Sequence, residues 1–266
     1  MNKKVAIITG ASRGIGRSVA ERLFNDGYLL TLVADNSKEL EETARALDRS
    51  SVLIQVGDLA DLDFARLVVD QTMLNWGRVD VLVNNAAWRV VETLRTMTPH
   101  NWARTLDVCV TTPAFLSKWS AEHMEVNRKG VIINICSIMT ERVGGTAAAY
   151  VASKGALLSL TYEMATLFGR KGIRVVAVSP GNIETQLNQG FLDDRGANIS
   201  DKLVDHYENH TPLGRSGRVN EVSSAVSWLC SDEASYISGT NIVIDGGFSK
   251  NFSGYDFKTM QFPTQF

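Results

Sequence analysis

The chain has 266 residues, 44% of them apolar and 21% charged, with 27 basic against 29 acidic side chains and a net charge of −2. This excludes a disordered chain, which could not bury enough apolar surface to offset its ordering entropy, and it leaves no basic excess to neutralise the phosphates of a nucleic acid. No apolar stretch approaches the ~20 residues that span a bilayer, and Cys109, Cys136 and Cys230 form neither a disulfide framework nor a zinc pattern, so a reducing, cytoplasmic setting is expected.

Short β-branched runs alternate with longer helical patterns. Residues 5–9 read as a strand, cut off by Gly10 too early for the apolar core of a signal peptide. Residues 15–25 read as a helix, with Val19, Ala20, Leu23 and Phe24 on one face. Further strands are expected at 29–34, 52–56, 79–83, 131–136, 175–179 and 242–244. Further helices are expected at 38–47, 62–76, 100–126, 150–169 and 221–230. Several strands are apolar throughout instead of alternating, so both of their faces must be covered. Strict strand–helix alternation then predicts an α/β fold: a single-domain, Rossmann-like, doubly wound parallel sheet of about seven strands flanked by helices, over residues 1–247.

Two regions break the rhythm. Residues 186–218 are polar and rich in Gly and Pro, and long for a plain connection; they read as a lid over a substrate. Residues 248–266 read as a tail carrying Phe248, Phe252, Tyr255, Phe257, Phe262 and Phe266, suited to a partner subunit or to capping a neighbouring site. Trp102, Leu106, Phe115 and Trp119 form a stripe suited to the core or a subunit interface.

Glycines at 10, 14 and 16 stand where the first strand turns into the first helix. Gly10 allows a sharp turn, Gly14 a close backbone approach to a pyrophosphate, and Gly16 tight packing of helix on sheet. The helix start then offers N–H groups and a positive dipole end to phosphate. Tyr150 and Lys154 are four apart and share a helix face. A phenol is a poor base at neutral pH, but a nearby ammonium stabilises the phenolate and makes it a usable acid or base. Ser137, at a strand end 13 residues before Tyr150, could hold a substrate oxygen while that oxygen changes charge.

Over about residues 4–247 the sequence resembles the short-chain dehydrogenase/reductase family. The carriers are Thr9-Gly10-Ala11-Ser12-Arg13-Gly14-Ile15-Gly16, Asp58-Leu59, Asn84-Asn85-Ala86-Ala87, Ser137, Tyr150 with Lys154, Pro180-Gly181-Asn182-Ile183-Glu184-Thr185, and Asp245-Gly246-Gly247. The resemblance implies a nicotinamide cofactor and a homo-oligomer, a tetramer or a dimer. It implies that Tyr150 exchanges the proton, Lys154 tunes it and binds the ribose, and Ser137 orients the carbonyl. It places Gly10, Ser12, Arg13, Gly14, Ile15, Gly16, Asp58 and Leu59 around the cofactor. Asn85, Ala86, Ala87, Pro180, Gly181, Ile183 and Thr185 join them, with Tyr150 and Lys154. Two positions depart from the family: Cys109 stands where an asparagine of the proton relay is usual, and Ala87 where glycine is common. Cys109 keeps the backbone carbonyl of that position, so an active site with a modified relay is expected.

The cofactor signals conflict. Asp35, after the second strand, is costly to place beside a 2′-phosphate, whereas Arg13 favours one. NAD or NADP is therefore expected, with the balance toward NAD. Trp88, Arg89, Met139, Arg142 and the 186–218 segment are expected to line the substrate site. That segment carries Asn188, Gln189, Asp193, Asp194, Arg195, Asn198, His206 and His210. Such a polar lid suits a sugar or polyol-like secondary alcohol and its carbonyl. A 3-oxoacyl thioester (acyl carrier protein) reductase and a non-catalytic cofactor-binding scaffold are the alternatives. His206 and His210 lack an evident third ligand, so no metal is expected.

Overall fold

The structure, a computed structural model, describes residues 3–186, 190–193 and 195–266. Seven strands are β1 (Val5–Thr9), β2 (Leu29–Ala34), β3 (Val52–Val56), β4 (Val81–Asn84), β5 (Gly130–Ile135), β6 (Ile173–Pro180) and β7 (Thr240–Ile244). They pair in parallel in the order β3-β2-β1-β4-β5-β6-β7. The order reverses between β1 and β4, which opens a crevice beyond the carboxyl ends of those strands.

Nine helices are described: α1 (Gly14–Asn25), α2 (Ser37–Arg45), α3 (Leu62–Trp76), α4 (Pro99–Leu106), α5 (Thr112–Asn127), α6 (Ala148–Phe168), α7 (Ser200–His210), α8 (Val219–Cys230) and α9 (Tyr255–Gln261). Successive strand residues point to opposite faces. Ala6 and Ile8 of β1 join Leu30, Leu32 and Ile133 beneath Val19 and Leu23 of α1 and Val222 and Val226 of α8. Ile7 joins Leu82 and Ile132 beneath Val68 of α3, Leu116 of α5 and Met164 of α6. Each of these buried Val, Leu, Ile and Met side chains contributes about 1.5–3 kcal/mol. Asn36, Asp61 and Thr98 cap α2, α3 and α4 through their side chains.

The expected helix over 100–126 is broken in the structure. Asp107–Thr111 form a π-helical turn between α4 and α5. Pro113 follows in the first turn of α5, and it has no N–H to give the carbonyl four residues back, that of Cys109. The expected lid is also not one loop, for α7 lies inside it. Within the tail α9 forms a short helix. Among the described residues, no helix is long and apolar enough to cross a membrane. All three cysteines are free and buried.

Candidate active site

The β1–α1 turn is shaped by close contacts. Gly10 and Gly14 have φ of +64° and +55°, a region where a side chain is strained. A Cβ on Gly16 would lie 2.1 Å from the Gly10 carbonyl oxygen. Thr9 and Asn85 clamp this turn onto the end of β4. The Thr9 hydroxyl accepts from the N–H groups of Asn85 and Ala86, both at 3.0 Å. The Asn85 amide donates to the carbonyls of Thr9 at 2.9 Å and Gly10 at 3.1 Å. Asn85 therefore holds the turn with its side chain, a duty that its place in the motif did not reveal, and Thr9 is a site residue that sequence reasoning missed.

Unlike α2, α3 and α4, helix α1 has no side-chain cap, and its first turn holds no acidic residue. Its N-terminal N–H groups and positive dipole end are thus left to an anion. A cleft of about 700 Å³ opens there, lined by Ser12, Arg13, Gly14, Asn36, Lys38 and Thr185 among others. The Thr185 methyl stands 3.5 Å from where a Gly14 Cβ would be, so the 180–185 segment roofs the turn. Backbone bonds between Glu184 and Gly217 (2.8 Å) and between Gly217 and Asn182 (2.8 Å) fix that roof. Ile15 and Ile183 pack against the core with α1 and α8. An uncapped helix start, a glycine cradle and a cleft of this size fit the diphosphate and adenosine of a dinucleotide.

Asp58 accepts from Ala60 N–H at 2.9 Å and from Arg104 at 2.9 Å. These bonds, the backbone one foremost, hold its carboxyl below the usual range. The Leu59 carbonyl accepts from the Thr112 hydroxyl. Asp35 follows β2 and is exposed.

At the end of β5, the Ser137 oxygen accepts from Met139 N–H at 3.1 Å. Its own proton remains able to donate to a ligand. Tyr150 lies in the first turn of α6, with Lys154 one turn along the same face. Lys154 is fully buried and donates to the Ile135 carbonyl at 2.6 Å. Its ammonium is 5.5 Å from the centre of the Tyr150 ring. Burial works against its charge; attraction to Tyr150, then to Cys109 and Cys136, outweighs burial and holds its pKa above the ordinary lysine value. Beside it, burial pushes the Cys136 thiol up to about 11, with Lys154 opposing.

Cys109, on the π turn, is fully buried. Its sulfur accepts from Trp88 N–H at 3.4 Å and faces the Trp88 carbonyl at 3.6 Å. The thiol thus seats the backbone of the loop after β4. On that loop, Ala87 follows Ala86, the Trp88 ring lies beneath the Arg104 guanidinium at 4.5 Å, and Arg89 lies 5.8 Å from the Tyr150 ring centre.

The expected substrate residues fare unequally. Met139 is part of the Ser137 turn. Arg142 is engaged by the tail: it donates to the Asn251 carbonyl at 3.1 Å and lies over the Phe248 ring. Asp193 accepts from the N–H groups of Arg195 and Ala197, and Asn198 from that of Ser200, so both shape their own loop. His206 and His210 stack at 4.3 Å on α7. Among the described residues no cluster could hold a metal. Asn188, Gln189 and Asp194 lie outside the described residues.

The comparisons with known proteins agree with this fold. A family model described as enoyl-(acyl carrier protein) reductase matches residues 10–249. The meso-2,3-butanediol dehydrogenase of Serratia marcescens is 32% identical over 249 residues, 92% of this chain and 94% of that one. A gluconate 5-dehydrogenase from Burkholderia cenocepacia, solved with NADP and tartrate, superposes with a TM-score of 0.86 at 30% identity, covering 95% and 97% of the two chains. A 4-hydroxyisoleucine dehydrogenase solved with NADH gives 0.85 at 28% identity, covering 94% and 100%. With its seven-stranded sheet, its open helix start, its serine at the end of β5 and its tyrosine and lysine on α6, the chain belongs to the short-chain dehydrogenase/reductase family of oxidoreductases.

Proposed function

We propose that this protein interconverts a secondary alcohol and a carbonyl on a sugar or polyol-like substrate, using NAD. The observation that carries the reading is the buried Lys154, anchored on the Ile135 carbonyl and facing Tyr150, with Ser137 two residues beyond Ile135 at the end of β5 and its proton able to donate. In the oxidising direction Ser137 donates to the substrate oxygen and orients it. The Tyr150 oxygen takes the hydroxyl proton as the phenolate, whose negative charge the Lys154 ammonium stabilises before the proton arrives. A bound nicotinamide would supply the acceptor for the hydride that leaves the carbinol carbon; with the proton lost from the hydroxyl, two electrons and two protons depart and a carbonyl forms. Reduction runs the same transfers backwards. The names of the relatives, which include dehydrogenases of butanediol and gluconate, support a small hydroxylated substrate.

The cleft supports the unphosphorylated cofactor. Three basic residues, Arg13, Arg17 and Lys38, line it against four acids, Glu21, Glu39, Glu42 and Glu184; Arg13 pairs with Glu39 at 3.9 Å and Arg17 with Glu21 at 2.9 Å. A 2′-phosphate would enter that field beside Asp35. We also infer that copies of the chain assemble. Trp102, Phe115 and Trp228 each leave about a third or more of their surface exposed on helices, which favours covering them with a second copy.

The test is a panel of polyols, sugars and an acetoacetyl thioester, run with both cofactors and followed at the nicotinamide absorbance. Oxidation of polyols or sugars with NAD at least tenfold more efficient than with NADP is expected. Tyr150→Phe should abolish turnover while cofactor still binds. Turnover of the thioester alone, or a fully active Tyr150→Phe enzyme, overturns the proposal.

A further inference from the structure

We propose that Arg89 is a seat for a carboxylate of the substrate, so that the molecule turned over here is a hydroxy acid or its oxo counterpart. This rests on the alcohol–carbonyl reading above and narrows its substrate class. Arg89 follows β4 by five residues, in the crevice beyond the carboxyl ends of the strands. Its guanidinium lies 5.8 Å from the Tyr150 ring centre and 5.5 Å from that of Phe191, between the candidate catalytic phenol and the lid segment. Rings take the faces of a guanidinium; its donors lie in its plane and point elsewhere. One of them, Nε, is buried without a hydrogen-bond partner. Among the described residues Arg89 has no ion pair; Glu92, the nearest acid along the chain, gives its Oε1 to the Asn101 amide, and its Oε2 is buried without a hydrogen-bond partner and makes no pair with Arg89.

A cation held at fixed position by two rings, with an unanswered buried donor, is an incomplete arrangement in the protein alone. An in-plane pair of carboxylate oxygens completes it, because the fork of an arginine matches that group in both spacing and charge. The neighbourhood decides where the acid would sit. Tyr150 meets the reacting oxygen, so an acid on Arg89 would lie on the same molecule, on the lid side of the reacting carbon. The other basic residue expected to line the site, Arg142, is held by the tail.

The test compares gluconate with sorbitol, which share a carbon chain and differ in the terminal acid, in the wild type, Arg89→Met and Arg89→Lys. The wild type should prefer gluconate. Arg89→Met should raise the gluconate KM about 10- to 100-fold, as loss of a charge-assisted pair does, and bring the preference toward unity; Arg89→Lys should recover part of it. Calorimetric binding of tartrate to the enzyme–NAD complex gives a readout independent of turnover, and it should weaken similarly in Arg89→Met. Arg89-dependent tartrate binding with neither gluconate nor sorbitol oxidised upholds the acid seat and sinks the sugar and polyol reading alone. Absent tartrate binding, binding unaffected by Arg89→Met, or an equal fall in kcat on both substrates overturns the proposal; the last result would assign Arg89 to Tyr150 instead of the substrate.

Discussion

Cys109 shows what a single side chain can and cannot disclose. Its position in the chain marked it as a departure inside a catalytic segment. Its contacts were not legible, because they depend on how the π turn presents the sulfur to a loop 21 residues away in sequence. A thiol is a weak donor and a weak acceptor, yet here it answers both the N–H and the C=O of Trp88. Cys109→Ala leaves both unanswered and opens a small cavity, an expected loss of about 1–2 kcal/mol measured by chemical denaturation. Because Trp88 adjoins Arg89, the substrate KM should rise while the cofactor KM holds. Cys109→Asn carries a stronger donor and a stronger acceptor at the same place and should restore both quantities. A fall in kcat with KM unchanged would place the residue in a proton route instead. Asn85 carries the same lesson. Its motif marked it as part of a cofactor site, and the structure shows its amide holding the turn that forms the site.

The elements legible in the sequence are those whose side chains are buried in a fixed period. β1, β2, β4 and β5 are covered on both faces, so their apolar runs stand out. α7 and α9 bury no residue fully and so carry no apolar stripe to read. The break between α4 and α5 escaped because the apolar stripe runs on through it; Pro113 was its one local sign. The β1–α1 turn was legible for a different reason, in that its glycines answer a steric demand that no other residue meets. Gly16→Ala tests that demand. The added methyl would stand 2.1 Å from the Gly10 oxygen and 2.4 Å from the Asn85 amide nitrogen, so the turn and its clamp must separate. Loss of cofactor binding in calorimetry and a destabilisation of several kcal/mol are expected. Gly77→Ala is the control. At φ +71° it bears backbone strain of about 1–2 kcal/mol, yet nothing lies within 4 Å of its added methyl. It should lower the melting temperature and leave cofactor affinity intact. Equal cofactor affinity in both variants would show that the turn does not bind the dinucleotide.

At the scale of the molecule, the parallel strand order gathers residues from 9 to 185 at the carboxyl ends of the strands, and that gathering followed from the alternation of strands and helices. The tail's place did not, because its ties are polar and specific. Asn251 joins four parts of the structure. Its amide donates to the carbonyls of His210, at the end of α7, and Ser253; its Oδ1 accepts from Lys258 of α9; its backbone carbonyl accepts from Arg142. Lys250 pairs with Glu141 at 3.0 Å, beside the Ser137 turn. The tail thus fastens α7 to the 139–142 loop, on the side of the crevice proposed for the substrate. The two large apolar clusters contain no residue beyond Ile244, and no tail residue lines the cleft at the start of α1. Ending the chain at residue 250 should therefore leave the sheet folded and the cofactor affinity unchanged. The substrate KM should rise roughly tenfold, the equivalent of one or two lost hydrogen bonds in the ordering of that side. Steady-state kinetics with each reactant varied in turn, alongside a thermal melt, separate the cases. An unchanged substrate KM would release the tail from any part in the site, and a parallel loss of cofactor affinity would show that it supports the whole fold and not one side of the crevice.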